Sequence, residues 1–247
     1  MQTTRIASVI ILIMAVIYLI CRLIGKRSRL TSRAYDRVKD QLIRMHIAES
    51  LEESAPIHLD LGDSGEAGLS GGSVLAAAGA AETVSAQMAF ADEPWVITAA
   101  GGLAVNIQKD AVRMGMTAAD YGNSYDSDFG NFSGISPFTH LAGNAALMSK
   151  EPSALHLSVG SFGTASALAD TLYSKGEMLC VGGDDLVSQA AAAAGADAVY
   201  VGEQFTEIPG AMEKAERKSS ALLAMDVMRW VLIAAIVIFA GFGLGGL

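Results

Sequence analysis

Two histidines lie at matching positions of a repeated sequence pattern. His58 belongs to the stretch Ala55–Gly65, which aligns with Ser153–Gly163, where His156 takes the same place. The shared pattern is His-Leu-x-(Leu or Val)-Gly-x-x-Gly. Imidazoles ligate metals and exchange protons near neutral pH, so the pair are candidate ligands or acid–base groups. A mid-strand histidine can equally be a hydrogen-bonded core residue, and the repeat indicates either a duplicated βαβ unit or convergence on one strand–turn–helix design.

Glycines follow the strand of each copy and lead towards a predicted helix. They are Gly62 and Gly65 in the first copy, and Gly160 and Gly163 in the second. A helix N-terminus can hold a phosphate, yet the spacing matches neither the dinucleotide nor the P-loop pattern, and tight turns need glycine for conformation alone. The neighbouring charges are acidic, which disfavours a phosphate unless a divalent ion mediates: Asp60, Asp63, Glu66, Asp184 and Asp185. These four glycines are weak candidates for cofactor binding.

Other chemistry has little support in the sequence. Two cysteines, Cys21 and Cys180, cannot form a disulfide framework or a zinc site of usual spacing. We recognise no nucleophile–base pair and no nucleophile elbow, so no catalytic residue, metal or cofactor is predicted. Tyr121–Ser136 is predicted to be a long loop, and long loops often contact partners or carry function. Its Asp126-Ser-Asp128 resembles half of a calcium loop without the bidentate Glu.

Short apolar strands alternate with helices through the middle of the chain. The predicted strands are Pro56–Leu61, Trp95–Thr98, Leu155–Val159, Met178–Val181 and Ala198–Val201. The predicted helices between and around them are Arg29–Glu53, Ser73–Phe90, Leu103–Met116, Thr164–Ser174 and Leu186–Ala194. Such alternation is typical of crossover connections. It predicts an α/β fold with a five-stranded, mainly parallel, Rossmann-like sheet between an N-terminal and a C-terminal transmembrane helix.

Both ends of the chain carry apolar runs of membrane-spanning length. The first extends from Ile6 to Gly25 if Arg22 snorkels, and the second from Trp230 to Leu247. Basic residues lie on the inner side of each run, at Arg22, Lys26, Arg27, Arg29, Arg33, Lys214, Arg217, Lys218 and Arg229. The positive-inside rule therefore places the middle of the chain in the cytoplasm and both termini across the cell membrane.

The predicted organisation has five parts. They are a transmembrane helix (1–25), a basic juxtamembrane helix (26–54), an acidic cytoplasmic α/β domain (55–212), a second juxtamembrane helix (213–229) and a second transmembrane helix (230–247). Between Met45 and Glu213 there are 22 acidic and four basic residues, a net charge of −18, whereas the whole chain of 247 residues carries −9. This charge argues against a nucleic-acid partner, and a mean hydropathy of +0.38 argues against intrinsic disorder.

Small residues favour close packing of helices. Ala76–Ala81, Ala190–Ala194 and the final Gly241–Leu247 give smooth helix surfaces, which pack either within the chain or between copies. The leading hypothesis is a non-enzymatic membrane scaffold, bound to the lipid bilayer, that self-associates or joins a larger membrane complex. The alternative is a membrane-tethered sensor or enzyme that binds a nucleotide or divalent ion at the strand-end glycine loops. A purely structural subunit of an electron-transfer complex is a third interpretation.

The sequence also resembles an uncharacterised prokaryotic family of membrane-anchored Rossmann-like proteins, a domain of unknown function. The resemblance rests on the Leu69–Ala91 helix, the strand Trp95–Thr98 with its following helix, Tyr200-Val-Gly-Glu203, and Met225–Trp230 at the entry to the final span. It covers most of residues 56–247. It implies the same membrane-anchored α/β architecture and brings no catalytic residues.

Overall fold

A computed structural model describes residues 12–13, 15–20, 37–63, 71–91, 95–126, 130–148, 153–163, 178–183, 186–212 and 227–237. The chain divides into two compact units. One contains both terminal segments, 1–35 and 216–247, and the other comprises Asp36–Ala215. In the terminal unit, residues 12–13, 15–20 and 227–237 are helical, and large apolar side chains such as Leu12 and Ile236 are exposed. Within the described residues, no helix combines the length and apolarity needed to cross a membrane.

The larger unit is a six-stranded sheet covered by helices. Its strands are β1 (Ile57–Asp63), β2 (Val96–Ala100), β3 (Gly130–Gly134), β4 (Leu155–Ser161), β5 (Met178–Gly183) and β6 (Ala198–Tyr200). Its helices are α1 (Arg37–Glu53), α2 (Gly71–Met88), α3 (Gly102–Ala118), α4 (Pro137–Met148), α5 (Leu186–Ala192) and α6 (Ile208–Met212), with 3₁₀ turns at Gly122–Ser124 and Gly202–Glu207. The expected α/β fold with a parallel sheet is therefore confirmed.

All neighbouring strands are parallel, in the order β3-β2-β1-β4-β5-β6. This is the order of doubly wound dinucleotide-binding folds. The chain moves outwards from β1 to β3, then returns and continues from β4 to β6. The direction of the strand order therefore reverses between β1 and β4, at the centre of the sheet.

The sequence repeat corresponds to two adjacent strands. In the β1–β4 ladder, His58 pairs with His156 and Asp60 with Ser158, which is the alignment that the repeat predicts. Side chains alternate across a strand, so Ile57 and Leu59 point to one face of the sheet while His58 and Asp60 point to the other. The first face packs against α1, α2, α3 and α6 in one continuous apolar core.

The prediction of five strands is wrong by one, because β3 lies inside the segment expected to be a loop. Gly130-Asn-Phe-Ser-Gly134 is poor in strand-forming residues, and it becomes a strand by pairing with β2 at the edge of the sheet. The following helix α4 was also not predicted. The predicted helix Thr164–Ser174 and most of both predicted membrane spans lie outside the described residues.

Helix α1 belongs to the same compact unit as the sheet. Ile43 and Ile47 are fully buried in the apolar core. On the same helix, the Lys39 ammonium group donates to the carbonyl oxygen of Val199 at 2.8 Å, and the Tyr200 hydroxyl group donates to Asp40 at 3.2 Å. These contacts attach α1 to the β6 side of the sheet.

Candidate catalytic site

The second face of the central strands is polar and almost fully buried. His58 and Asp60 on β1, Thr98 on β2, and His156 and Ser158 on β4 are each at most 4% exposed. Burying polar groups is costly unless they form hydrogen bonds. The contacts of these side chains therefore decide whether the face is only a core or also a site.

The two histidines of the repeat contact each other directly. Their Nδ1 atoms are 2.6 Å apart, so one ring donates a proton and the other accepts it. The chain of contacts extends from His58 Nε2 to the Thr98 hydroxyl oxygen at 2.9 Å and from His156 Nε2 to the Ser158 hydroxyl oxygen at 3.3 Å. Burial lowers the pKa of His58 to about 4, against the attraction of Asp60, and burial and the neighbouring histidines hold the pKa of His156 well below its ordinary value. Both rings are therefore neutral at pH 7.

Asp60 accepts three hydrogen bonds from different parts of the fold. Its carboxylate is 2.7 Å from His140 Nε2, 2.8 Å from the Asn144 side-chain nitrogen and 2.9 Å from the backbone nitrogen of Gly62. Burial alone raises the pKa of a carboxyl group, but the charge and hydrogen bond of His140 outweigh it here, so the pKa of Asp60 lies below its usual value. Asp60 is an ionised, buried acceptor.

This carboxylate defines the proton positions on His140. An ionised carboxylate only accepts, so His140 Nε2 carries a hydrogen, and whenever the ring is neutral its Nδ1 is an acceptor. The hydroxyl group of Ser133 contacts Nδ1 and donates to it in that neutral form. His140 and Asp60 are almost fully buried, whereas Ser133 is only half-buried. The result is an Asp–His–Ser relay whose serine end is partly exposed.

The relay depends on how α4 begins. Ser136 caps the helix. Its hydroxyl oxygen accepts a hydrogen bond from the backbone nitrogen of Thr139 at 3.4 Å, and its carbonyl oxygen accepts one from the backbone nitrogen of His140 at 2.8 Å. Pro137 occupies the first helical position, where its missing N–H is not needed. The cap places His140 in the first turn of α4, at the carboxyl edge of the sheet.

Two glycines bring α4 against β3. A Cβ atom on Gly143 would collide with the carbonyl oxygen of Ser133, and one on Gly134 would collide with the backbone of Thr139 and His140. No larger residue allows this approach without a shift of the helix. The contact between the Ser133 hydroxyl and His140 Nδ1 therefore depends on glycine, which has no Cβ atom, at both positions.

The glycines singled out in the sequence have other positions and roles. Gly62 has a φ of +63°, and a Cβ atom there would lie 2.6 Å from the Ser161 carbonyl oxygen. A Cβ atom on Gly160 would collide with the Leu61 carbonyl oxygen. These two glycines allow β1 and β4 to approach each other. Gly163 has open space beside it, and Gly65 lies outside the described residues.

Most of the predicted membrane-surface residues also lie outside the described ranges. Arg229 is the exception, and it is exposed on the helix 227–237. The alanines of the Ala76–Ala81 segment are used within the chain, since Ala77, Ala80 and Ala81 are almost fully buried in the apolar core. Self-association through small residues remains a prediction for the other segments.

The sequence patterns do not identify Ser133, His140 and Asn144 as candidate functional residues. Two signals were present: the Ser-Pro-x-Thr start of α4 at Ser136 and a carboxylate, Asp60, inside an apolar strand. Neither signal connects Asp60 with residues 73 to 84 positions further along the chain, which only the packing of α4 on the sheet brings close to it. Among the described residues, no group of three or more histidine, cysteine or carboxylate side chains is arranged to hold a metal ion.

The fold and the relay together define the class of protein: a doubly wound parallel α/β unit with a buried Asp–His–Ser relay between its central strand and one edge. No protein-family model, curated protein or solved structure matches the chain. The resemblance to a membrane-anchored family therefore remains a prediction.

Proposed function

We propose that this protein is an enzyme that hydrolyses esters through a nucleophilic serine, Ser133. The observation that carries the proposal is the chain of contacts from Ser133 through His140 to Asp60. A nucleophile within hydrogen-bond reach of a base, with the base oriented by a third group, is the arrangement that activates a serine hydroxyl group. The role of each residue follows from its position in this chain.

The reaction is acyl transfer in two steps. Ser133 Oγ attacks the ester carbonyl carbon while its proton passes to His140 Nδ1, and the alcohol leaves as its oxygen takes that proton. Water then attacks the acyl-serine and gives a proton to Nδ1, and Ser133 Oγ leaves and regains the proton. The net reaction consumes one ester and one water and releases one acid and one alcohol.

Asp60 is a positioning residue in this scheme. It holds His140 in the tautomer whose Nδ1 accepts a proton, and it stabilises the imidazolium that forms. The ring nitrogens are exchanged relative to the familiar serine-protease triad, where the serine contacts Nε2 and the aspartate Nδ1. Either nitrogen of a neutral imidazole can serve as the base, because the carboxylate selects which one carries hydrogen.

Two further features support a reactive site rather than a completed structural network. The Asn144 side-chain oxygen is buried beside His140 and has no hydrogen-bond partner within the described part of the chain. A buried acceptor without a partner is rare in a completed network. In addition, the chain enters α4 only four residues after Ser133. Amide groups at a helix N-terminus stabilise negative charge, such as that of a developing oxyanion.

A fluorophosphonate probe tests the proposal directly, because it labels activated serines. We expect the full chain in mild detergent to be labelled at pH 7.5, and Ser133→Ala and His140→Gln to lose the label. Asp60→Asn should lower the labelling rate about a hundredfold or more. Ser124→Ala is the matched control, since Ser124 is exposed and lies in a 3₁₀ turn outside the relay, and it should label like the wild type.

Ser133→Cys keeps a nucleophile at the same position and separates folding from chemistry. It should react with iodoacetamide faster than a Ser124→Cys control, because His140 favours the thiolate. Undiminished labelling of Ser133→Ala by the fluorophosphonate, or an unlabelled wild type, would overturn the proposal.

A membrane-anchored scaffold is the second candidate function. It is supported by the exposed aliphatic side chains of the terminal helices, such as Leu12 at 65% and Ile236 at 67% exposure, and by the basic residues beside both apolar runs. Among the described strands, β3 pairs on one side only, and such an edge can pair with a second copy. In this proposal the acidic unit lies at the cytoplasmic face of the cell membrane.

Membrane extraction and labelling discriminate between the two functions. A scaffold anchored at both ends should resist extraction by alkaline carbonate and give a homo-oligomer by native mass spectrometry in mild detergent. If copies pair through β3, Ser133 is shielded from the probe, whereas an enzyme keeps it accessible. Extraction by carbonate together with a monomeric mass would contradict the scaffold.

A further inference from the structure

The surface around Ser133 has an unusual composition for this acidic protein. Residues 130–148, which contain β3 and α4, include no Asp, Glu, Lys or Arg, although the chain carries 26 acidic and 17 basic residues. The only titratable side chain in this segment is His140, which is buried in the relay. Apart from His140, the segment that carries Ser133 therefore has no ionisable side chain to present to a substrate.

Large apolar side chains are exposed in the short segment between Ser133 and His140. The relay contact joins the two ends of this segment, which contains the end of β3 and the start of α4. Within it, Ile135 is 73% and Phe138 is 59% exposed. Exposed apolar side chains that lie together mark binding surfaces more often than isolated ones do.

The neighbouring Phe132 provides an internal comparison. It is 53% exposed, and it pairs with Ala99, which belongs to the apolar core, whereas Asn131 pairs with Thr98 on the polar face. The register shifts after Phe132, and the contact with His140 places the Ser133 hydroxyl group on the polar side. Phe132 therefore lies on the opposite face of the sheet from the relay.

We infer that the substrate is an uncharged ester with an apolar acyl chain, and that Ile135 and Phe138 bind this chain. The inference rests on the proposed function of Ser133. Each methylene buried completely on binding would raise kcat/KM about fourfold. On a surface that covers the chain from one side, we expect about twofold for each methylene, which gives about 16-fold between acetate and hexanoate esters.

The test is the hydrolysis of p-nitrophenyl acetate, butyrate and hexanoate by the full chain in one detergent concentration, with Ser133→Ala rates subtracted. In wild type, kcat/KM should rise about 16-fold from acetate to hexanoate. The double variant Ile135→Ser/Phe138→Ser should reduce this ratio to about threefold or less. Phe132→Ser is the matched control, because it removes an equally large exposed side chain from the other face, and it should keep the wild-type ratio.

The outcomes separate the inference from the proposed function. Two results would overturn the acyl-chain inference while the assignment of Ser133 as the nucleophile stands. One is hydrolysis that depends on Ser133 but whose kcat/KM does not change with acyl-chain length, and the other is a double variant that keeps the wild-type ratio. If no ester is hydrolysed and no probe labels Ser133, the proposed function fails and the inference fails with it.

Discussion

The buried histidine pair should make the larger unit sensitive to mild acid. His58 and His156 are fully buried and contact each other through their Nδ1 atoms. In the unfolded chain each ring takes up a proton near the ordinary histidine pKa of 6.5, but in the fold burial lowers the pKa of His58 to about 4 and holds the pKa of His156 well below its ordinary value. Below pH 6.5 the unfolded state therefore binds protons that the folded state does not, and stability falls as the pH falls.

The magnitude follows from the linkage between proton binding and folding. At pH 5.0 an unfolded histidine is almost fully protonated, while the buried His58 ring is still mainly neutral. Relative to pH 7.5, His58 then lowers the free energy of unfolding by about 2 kcal/mol, and His156, whose pKa is also lowered, acts in the same direction. The pKa of Asp60 lies below its usual 3.8, so its stabilising contribution is lost only at lower pH, outside this interval.

Chemical unfolding of the full chain in non-ionic detergent at pH 7.5 and 5.0 measures the effect. The sequence has two tryptophans, so a Trp230→Phe background leaves the buried Trp95 as a reporter of the sheet unit. The double variant His58→Gln/His156→Gln removes both titrating rings. We expect the wild type to lose at least about 2 kcal/mol more than this variant between the two pH values.

A control variant that is less stable but keeps both histidines separates a general loss of stability from a loss that depends on pH. Val112→Ala removes buried apolar volume without a titratable group, so it should lower stability by similar amounts at both pH values. If the wild type and the double-histidine variant lose the same free energy between pH 7.5 and 5.0, the assignment of neutral, buried rings is wrong.

Two changes to α4 test how the relay is positioned. Gly143→Ala should destabilise the unit by about 1–3 kcal/mol and reduce fluorophosphonate labelling of Ser133, because its Cβ atom collides with the Ser133 carbonyl oxygen. Gly102→Ala is the control, since Gly102 has open space beside it, and it should change neither the stability nor the labelling. Ser136→Ala should cost about 1 kcal/mol through loss of the helix cap, with a smaller effect on labelling. Thermal unfolding and the probe measure both effects, and wild-type labelling of Gly143→Ala would contradict the proposed role of this contact.

Much of the fold could be predicted from local sequence patterns. The five expected strands correspond to β1, β2, β4, β5 and β6, because short apolar runs bounded by glycine are strong strand signals. The repeat also predicted two equivalent strands, and the ladder between them keeps the sequence alignment, with His58 opposite His156. The strand β3 was missed because its sequence favours a loop, and pairing with β2 is what makes it a strand.

The candidate site could be predicted only in fragments. Sequence placed His58 and His156 at equivalent positions and left both a chemical and a core role open; the structure places them in a buried hydrogen-bonded pair. Asp60 was noted only as an acidic neighbour of the glycine loops. Its actual partners, His140 and Asn144, come from a helix that was not predicted.

By itself, the sequence determined the parallel α/β architecture and the alignment of its two central strands. These properties depend on the period of apolar residues and on local turns, which a single sequence displays directly. The tertiary structure decided the sixth strand, the start of α4 against β3, and the contacts from Asp60 through His140 to Ser133. The physical reason is that a hydrogen-bonded relay depends on distances between residues far apart in the chain, and only the packing of α4 on the sheet sets those distances.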